Sequence, residues 1–242
     1  MSGVGSINLK VLIFDSDIYA LQAINSYLAW DRRTRVTFMT NDIDAVWKHL
    51  QQTPKAELPD IAILDFDHFG SLAAAHDVLD KLLAALPNLV ILCMVQHIDL
   101  ELAELAAKHG ARAFLAKHDV GIRIAWAIVY ALRHEMLVTV SVARQTKNTL
   151  NSTLYNAAIL PEQRDYPEMT GRIRQAIRLC VIEGMPAHLA ADEMGISLHT
   201  IRGYVKEGYR ILESYDQHEY PTDMTPQERA FMRFTALDSD DV

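Results

Sequence analysis

The sequence predicts an α/β domain built on a five-stranded, doubly wound parallel sheet, followed by an all-α domain. In the first half of the chain, short continuous apolar runs alternate with segments of helical periodicity, as expected for strands buried on both faces. After about residue 169, the apolar residues recur at helical spacing,. The chain has 242 residues, 50% of them hydrophobic, which is enough for a core in each of two domains.

Five apolar runs are the predicted strands. They are KVLIF (10–14), VTFMT (36–40), DIAILDF (60–66), LVILCMV (89–95) and AFLA (113–116). A helical pattern follows each of them, over 15–30, 42–52, 71–86, 99–109 and from about 120. With a strand order of 2-1-3-4-5, the first and third strands are neighbours and their carboxyl ends meet at one edge of the sheet.

The segment after the fifth strand has two interpretations. Apolar residues from Ile122 to Met136 recur every three to four positions, which fits one helix running to about 150 and covering the sheet or a partner helix. The β-branched stretch LVTVSV (137–142) instead favours a break or a strand near 138–142,. We therefore assign 1–135 to the α/β domain and 136–168 to a linker that is helical in part. The all-α domain is assigned to 169–236 and a disordered tail to 237–242.

Composition narrows the class of protein. No apolar run approaches 18 residues, and the first ten residues, MSGVGSINLK, lack the pattern of a signal peptide,. We expect a cytoplasmic protein with no membrane partner. The two cysteines, Cys93 and Cys180, lie in apolar stretches of different domains, which indicates reduced core residues.

The net charge of -8 is unevenly distributed along the chain. Residues 1–120 hold 10 basic and 15 acidic side chains, and residues 215–242 hold 2 and 7, whereas residues 170–214 hold 6 and 5. The acidic excess therefore lies outside 170–214. A nearly neutral segment binds a polyanion weakly on its own, so two copies would be needed for useful affinity.

Polar side chains cluster where the predicted strands end. Asp15 and Asp17 follow the first strand, Asp65 and Asp67 close the third, and Lys117 follows the fifth. In a doubly wound sheet these ends share one edge, so the acidic groups converge on a pocket that could hold a divalent cation through oxygen ligands.

Residues 187–212 are predicted to form two short helices that meet at Gly195. Ser197 can cap the second helix. The predicted buried stripe of that helix is Ile201, Val205, Tyr209 and Leu212, and its opposite face carries His199, Arg202, Lys206 and Arg210. A helix with one apolar and one cationic face, entered through a glycine turn, is typical of a helix-turn-helix that reads the major groove of DNA.

The segment from Met169 to Glu213 resembles the four-helix DNA-binding domain of the NarL/LuxR regulators, with some likeness to the sigma-factor region that reads promoters. The resemblance implies that Arg202, Gly203 and Lys206 contact base edges. The neighbouring residues implied to contact phosphates are His199, Thr200, Tyr204 and Arg210. The alternative interpretation is an ordinary helical hairpin whose charged side chains pair on the helix surface.

Lys10 to His134 resembles the receiver domain of response regulators. The resemblance implies that Asp65 accepts a phosphoryl group, that Asp15 with Asp65 binds Mg²⁺ if phosphorylation occurs, and that Lys117 is the family's lysine. Three positions depart from the pattern, one of them Phe69, which stands where a proline commonly follows the phosphoacceptor loop. Ser16 replaces the second acidic residue, and Val95 replaces a hydroxyl-bearing residue that contacts the phosphoryl group. These departures predict an atypical receiver whose phosphorylation is absent or unconventional.

Two functions fit these features. The first is a transcription regulator of the response-regulator class, not an enzyme, that binds double-stranded DNA as a homodimer and receives input from a sensor kinase or another regulator. The second is a receiver-like adaptor that binds a kinase, a sigma factor or an anti-sigma factor through protein contacts. The basic face of the second helix discriminates between them, because DNA binding weakens steeply as salt rises.

Overall fold

The computed structural model describes residues 8–146, 152–216 and 220–238. The chain forms two compact units that divide between Pro161 and Glu162. The N-terminal unit is an α/β domain and the C-terminal unit is helical, as the sequence predicts. Within these described ranges, no helix combines the length and the apolar character needed to cross a lipid bilayer.

The α/β domain contains a seven-stranded sheet in which every pair of neighbouring strands is parallel. The strand order is 2-1-3-4-5-6-7. The strands are β1 (Leu9–Phe14), β2 (Thr34–Thr40), β3 (Ile61–Asp65), β4 (Val90–Val95), β5 (Ala113–Ala116), β6 (Leu137–Val138) and β7 (Ala158–Ile159). The helices are α1 (Ile18–Ala29), α2 (Ile43–Gln52), α3 (Leu72–Ala85), α4 (Leu100–Lys108), α5 (Lys117–Val120), α6 (Ile124–Ala131) and α7 (Val140–Thr146).

The predicted order of the first five strands is confirmed. The burial of their side chains explains why these strands have continuous apolar sequences. Side chains of β1 alternate between the two faces of the sheet, and Val11 through Phe14 are all buried. Leu12 and Phe14 join the core that α2, α3, α4 and α7 cover. α1 and α6 contact each other. Continuous apolar runs are therefore needed because helices cover both faces.

The segment 136–161, which the sequence analysis assigned to a linker, extends the sheet instead. Leu137 pairs with Ala113 of β5, and Ala158 pairs with Leu137, so β6 and β7 continue the parallel ladder. The side chain of Glu104 in α4 holds this extension in place, because its carboxylate accepts hydrogen bonds from Ser152 and Thr153. The α/β domain consequently reaches residue 161, and the predicted domain boundary at 135 falls too early in the chain.

The predicted single helix to about 150 is broken. α6 ends at Ala131, and the chain turns into β6 before α7 begins. All eight residues of α6 are buried, and the guanidinium of Arg33 lies 3.9 Å from the centroid of the Trp126 ring. Of the two interpretations of this apolar stripe, the structure shows coverage of the domain's own core. Residues 147–151 of the predicted helix lie outside the described residues.

The described part of the helical domain contains four α-helices. They are α8 (Gly171–Ile177), continued by a π-helical turn over Arg178–Ile182, then α9 (Ala187–Met194), α10 (Leu198–Ser214) and α11 (Pro226–Phe234). The predicted cap Ser197 at α10 is confirmed,. Thr170 caps α8, and Thr225 forms a reciprocal capping box with Glu228 at α11,. Buried side chains of α8, its π-helical turn, α9 and α10 form one shared core.

The chain end after α11 differs from the prediction of a tail that is disordered from residue 237. Leu237 is buried and pairs with Gln163 in an antiparallel bridge. The backbone N–H of Asp238 donates to the carbonyl of Glu162 at 2.8 Å. This pairing ties both ends of the helical domain together. Residues 239–242 lie outside the described residues, as do 217–219 of the connection before α11.

Candidate functional sites in the receiver-like pocket and on the recognition helix

The structure brings four of the predicted pocket residues together at the carboxyl ends of the central strands. Nζ of Lys117 lies 2.8 Å from Oδ2 of Asp15 and 3.1 Å from Oδ1 of Asp65. The other oxygen of Asp65 accepts hydrogen bonds from the hydroxyl of Ser16 at 2.5 Å and from its backbone N–H at 3.2 Å. Asp15 and Asp65 are both buried. Each oxygen of Asp65 is therefore engaged by this chain's own donors.

The ion-pair cluster of Asp15, Asp65 and Lys117 shifts the pKa values of Asp15 and Lys117. Burial raises the pKa of Asp15 above its ordinary value, and the adjacent Lys117 ammonium opposes that shift only in part,. Burial lowers the pKa of Lys117, but hydrogen bonding and attraction to Asp15 and Asp65 outweigh burial and raise it. Lys117 consequently stays charged at neutral pH and neutralises one of the two carboxylates.

Two other predicted residues do not join this cluster. The side chain of Asp17 caps α1 by accepting a hydrogen bond from the backbone N–H of Tyr19 at 2.8 Å. Val95 ends β4 and is fully buried. It offers no hydroxyl to the pocket, so the interaction that the receiver resemblance implies at this position cannot form.

Asp67 has a different arrangement from the one expected of a cation ligand. Its carboxylate accepts hydrogen bonds from the backbone N–H groups of Gln96 and His97, the latter at 3.4 Å. These two residues follow β4 directly, so Asp67 holds the loop between β4 and α4. A carboxylate thus occupies backbone donors that could otherwise bind an exogenous anion. Sequence patterns could not reveal these partners, because they are backbone groups.

The donor set of the pocket does not fit the magnesium site that the receiver resemblance implies. Mg²⁺ needs oxygen ligands in near-octahedral geometry, and these oxygens must not be held by other cations or hydrogen-bond donors. Here Asp15 and Asp65 share the ammonium of Lys117, and Ser16 contributes a neutral hydroxyl that already donates to Asp65. The carboxylates of this pocket are therefore bound by the chain's own ammonium and hydroxyl groups.

The second site is the pair α9 and α10. Gly195 ends α9 with φ of +63°, in the left-handed region that favours glycine,. The backbone N–H of Ile196 then donates to the carbonyl of Ala191 at 3.0 Å, which closes the turn. Ser197 starts α10 by accepting a hydrogen bond from the backbone N–H of Thr200 at 3.1 Å. The local sequence GIS therefore fixes the angle between the two helices.

α10 separates into a buried face and an exposed face. Ile201, Ile211 and Leu212 are buried, as is Gly208. Val205 and Tyr209, which were predicted to be buried, are half-buried. The predicted DNA-contacting residues divide into two groups, with Thr200 and Tyr204 half-buried and the rest exposed, namely His199, Arg202, Gly203, Lys206 and Arg210.

The cations of the 170–214 segment differ in their partners. Arg172 donates a hydrogen bond to the carbonyl of Met194. Arg174 forms an ion pair with Asp165, and Arg178 forms one with Glu183. Arg210 makes a two-pronged ion pair with Glu207 one turn earlier, at 2.6 and 3.0 Å. This pair lowers the pKa of Glu207 and raises that of Arg210.

The remaining two cations are Arg202 and Lys206. Among the residues that the structure describes, neither has a hydrogen-bond or ion-pair partner. They are four residues apart on one helix face, where like charges repel by roughly 0.2 to 0.5 kcal/mol. Such a pair does not help the helix fold, and an anionic ligand would relieve its repulsion.

Two glycines of α10 have opposite surroundings. A Cβ added to Gly203 would meet nothing within 4 Å, so this position is open to solvent. A Cβ on Gly208 would lie 2.5 Å from Cγ1 and Cδ1 of Ile177 and 3.3 Å from Cγ2 of Ile173. Gly208 therefore permits close packing of α10 on α8. This role of Gly208 leaves no signal in the sequence, because nothing in the local pattern of α10 shows which neighbour approaches it.

Solved structures of similar fold cover most of the chain. A structure of two RcsB dimers bound to two parallel DNAs matches with a TM-score of 0.50 and 16% identity, covering 83% of this chain and 89% of that chain. A structure of the RcsB response regulator from Salmonella typhimurium matches with a TM-score of 0.50 and 15% identity, covering 90% of this chain and 96% of that one. No protein-family model and no curated protein matches the sequence. At these identities the likeness shows the fold, an α/β receiver-like domain followed by a helical domain.

Proposed function

We propose that this protein is a DNA-binding transcription regulator of the response-regulator class. The observation that carries the proposal is the exposed face of α10, where Arg202 and Lys206 have no partner among the described residues and flank the open position Gly203. Arg can bind a guanine edge with two hydrogen bonds, and a residue without a side chain permits close approach to the groove floor. The solved structures of similar fold include RcsB dimers bound to DNA.

The proposal includes a division of roles along α10. Arg202, Gly203 and Lys206 contact base edges, and His199, Thr200, Tyr204 and Arg210 lie beside the phosphates. Arg210 is the least available of these, because Glu207 holds its guanidinium. A phosphate would have to compete with that carboxylate, which reduces the contribution of Arg210 to affinity.

We further propose that phosphorylation is not the switch of the receiver-like domain. Asp65 would have to release Ser16 or Lys117 before one of its oxygens could attack a phosphodonor. Val95 offers no donor to a phosphoryl group, and Asp67 already holds the loop after β4. The domain would then act through protein contacts with a sensor kinase or another regulator.

Binding as a homodimer is also part of the proposal. The nearly neutral charge of 170–214, with 6 basic and 5 acidic residues, favours two reader domains on one DNA,. The apolar residues of α6 and α11 are not available for the dimer contact, because they are buried within their own domains. Sedimentation of the free protein and of its DNA complex at micromolar concentration measures the state, and a monomer in both would exclude a dimer.

A mobility-shift measurement on duplexes selected from a random library tests DNA binding. Selection should enrich a defined motif, and affinity should fall steeply between 50 and about 200 mM salt, as expected when phosphate contacts release counterions. If no motif were enriched and no salt-dependent shift were seen, the proposed DNA-binding function would be excluded. The adaptor function, in which the helical domain binds protein, would then be the better explanation.

A further inference from the structure

Three potential metal ligands meet on the surface of the α/β domain, away from the pocket of Asp65. His76 and Asp80 lie one turn apart on α3, and His109 directly follows α4. Nε2 of His76 lies 3.1 Å from Oδ2 of Asp80, and Nδ1 of His109 lies 3.4 Å from Oδ1 of the same carboxylate. One ligand atom from each of the three side chains lies within 4.8 Å of the other two.

Packing between α3 and α4 holds the backbone that carries these side chains in place. Gly110 ends α4 with φ of +81°, and a Cβ at this position would lie 3.2 Å from Cδ1 of Leu83 in α3. Leu79 and Leu82 of α3 and Ala106 of α4 are buried. The ends of the two helices are therefore held in close contact by packing, and the separation of His109 from α3 does not depend on the charged side chains.

We propose that His76, Asp80 and His109 bind a divalent transition-metal ion of the Zn²⁺ type. In tetrahedral coordination with Zn–N and Zn–O distances near 2.0 to 2.1 Å, neighbouring ligand atoms are separated by about 3.3 Å. The separations of 3.1 Å from His76 to Oδ2 of Asp80 and 3.4 Å from His109 to Oδ1 are close to this value, and a small rotation of these exposed side chains would bring both imidazoles to one carboxylate oxygen. Imidazole and carboxylate ligands suit Zn²⁺, and a set of three leaves one position for water or a further ligand.

The side chains have the accessibility that metal entry requires. The exposed fractions of His76, Asp80 and His109 are 43%, 58% and 35%. Without metal, one carboxylate serves two imidazoles, whose ring centroids are 4.0 Å apart. A bound cation would replace these weak surface contacts and would clamp the end of α3 to the end of α4, so that binding stabilises the folded domain.

Titration of the full-length chain, with no affinity tag, with ZnCl₂ tests the site by calorimetry. We expect one Zn²⁺ per chain with a dissociation constant of about 10 μM or tighter. Asp80→Asn and His109→Gln should each weaken binding at least tenfold, because each removes a ligand. Asp77→Asn is the matched control, since Asp77 is an exposed carboxylate on the same helix that pairs with Lys81. It should bind Zn²⁺ within twofold of the unaltered protein.

Two further readouts separate this site from adventitious binding by the other histidines among the chain's ten. Zn²⁺ should raise the melting temperature of the unaltered protein and of Asp77→Asn, but not that of Asp80→Asn. Co²⁺ should give visible absorption without a thiolate charge-transfer band, since no cysteine is a proposed ligand. Equal Zn²⁺ affinity in Asp80→Asn and Asp77→Asn, or no saturable binding up to 100 times the expected constant, would overturn the proposal.

Discussion

Ser16 donates two hydrogen bonds to the carboxylate of Asp65, from its hydroxyl at 2.5 Å and from its backbone N–H at 3.2 Å. In the receiver resemblance, Ser16 stands at a position where a second acidic residue helps to bind magnesium. A donor at this position does the opposite of an acidic residue, because it satisfies Asp65 and adds no negative charge. Ser16 and Lys117 together engage both carboxylate oxygens of Asp65.

This relationship predicts that small phosphodonors do not switch the protein. Acetyl phosphate with Mg²⁺ should change DNA affinity less than twofold, and Asp65→Asn should leave regulation intact. The double variant Ser16→Asp with Val95→Thr restores both missing groups and should gain Mg²⁺-dependent phosphorylation. Stoichiometric modification of Asp65 in the unaltered chain with a tenfold rise in DNA affinity, or about 1.4 kcal/mol, would instead establish a conventional switch.

Asp67 provides a second prediction, about the loop between β4 and α4. Asp67→Ala removes the acceptor for the amides of Gln96 and His97, so hydrogen exchange at these amides should accelerate. The domain should lose about 1.5 kcal/mol of unfolding free energy, as expected for hydrogen bonds to a charged group. Asp67→Asn keeps one acceptor oxygen and should show a smaller effect. Unchanged exchange at both amides in Asp67→Ala would contradict the assignment.

The α/β architecture was predictable because buried parallel strands need continuous apolar sequence. The clustering of Asp15 and Asp65 followed from the same topology, since both residues lie at the carboxyl ends of neighbouring strands. β6 was predicted only in part, by the β-branched stretch that favoured a break or a strand near 138–142, and β7 was not predicted, because a two-residue strand has no periodicity of its own. Their pairing depends on distant residues, such as Ala113 opposite Leu137.

The helix-turn-helix was predictable from local signals, namely a glycine turn, a serine cap and an amphipathic second helix. Which acidic side chain pairs with each basic side chain of α10 was not predictable, since several lie within reach in the sequence. Glu207 and Glu213 both lie three residues from Arg210, and only the structure shows that Arg210 pairs with Glu207. The role of Gly208 was hidden for a related reason, because its neighbour Ile177 is 31 residues earlier in the chain.

The two glycines of α10 give a matched pair of stability predictions. Gly208→Ala forces a methyl group into the space of the buried Ile177 side chain, and overpacking of this kind costs roughly 1 to 3 kcal/mol,. Gly203→Ala meets open space and should stabilise the helix by up to about 1 kcal/mol,. Urea unfolding of both variants measures the difference. Equal unfolding free energies would show that α10 does not pack on α8 as described.

Glu104 predicts a pH dependence for the extension formed by β6, α7 and β7. Burial raises the pKa of this carboxyl, but hydrogen bonds from Ser152 and Thr153 and the charge of Lys108 together lower it below its ordinary value. A lowered folded-state pKa stabilises the protein above the unfolded value of about 4.5, and this contribution is lost as pH falls through the folded-state pKa.

Glu104→Gln should therefore cost roughly 1 to 2 kcal/mol at pH 7, with the difference from the unaltered protein shrinking below pH 4.5. Thermal unfolding between pH 3 and 7 measures this difference, where both proteins remain folded at low temperature. Glu101→Gln, at an exposed position of the same helix, is the control and should change stability by less than about 0.5 kcal/mol. A constant gap between Glu104→Gln and the unaltered protein across this pH range would contradict the assigned role.

The central claim, that α10 reads DNA through Arg202, is tested most directly by fluorescence anisotropy with a selected duplex and its single-base variants. Arg202→Ala should cost roughly 1 to 3 kcal/mol and relax the preference at one base position. Arg210→Ala should weaken all sequences alike and flatten the salt dependence, because its proposed partner is a phosphate. This loss should be smaller than that of Arg202→Ala, because Glu207 competes for the Arg210 guanidinium. An Arg202→Ala protein that keeps both its affinity and its base preference would contradict the proposed orientation of the recognition helix.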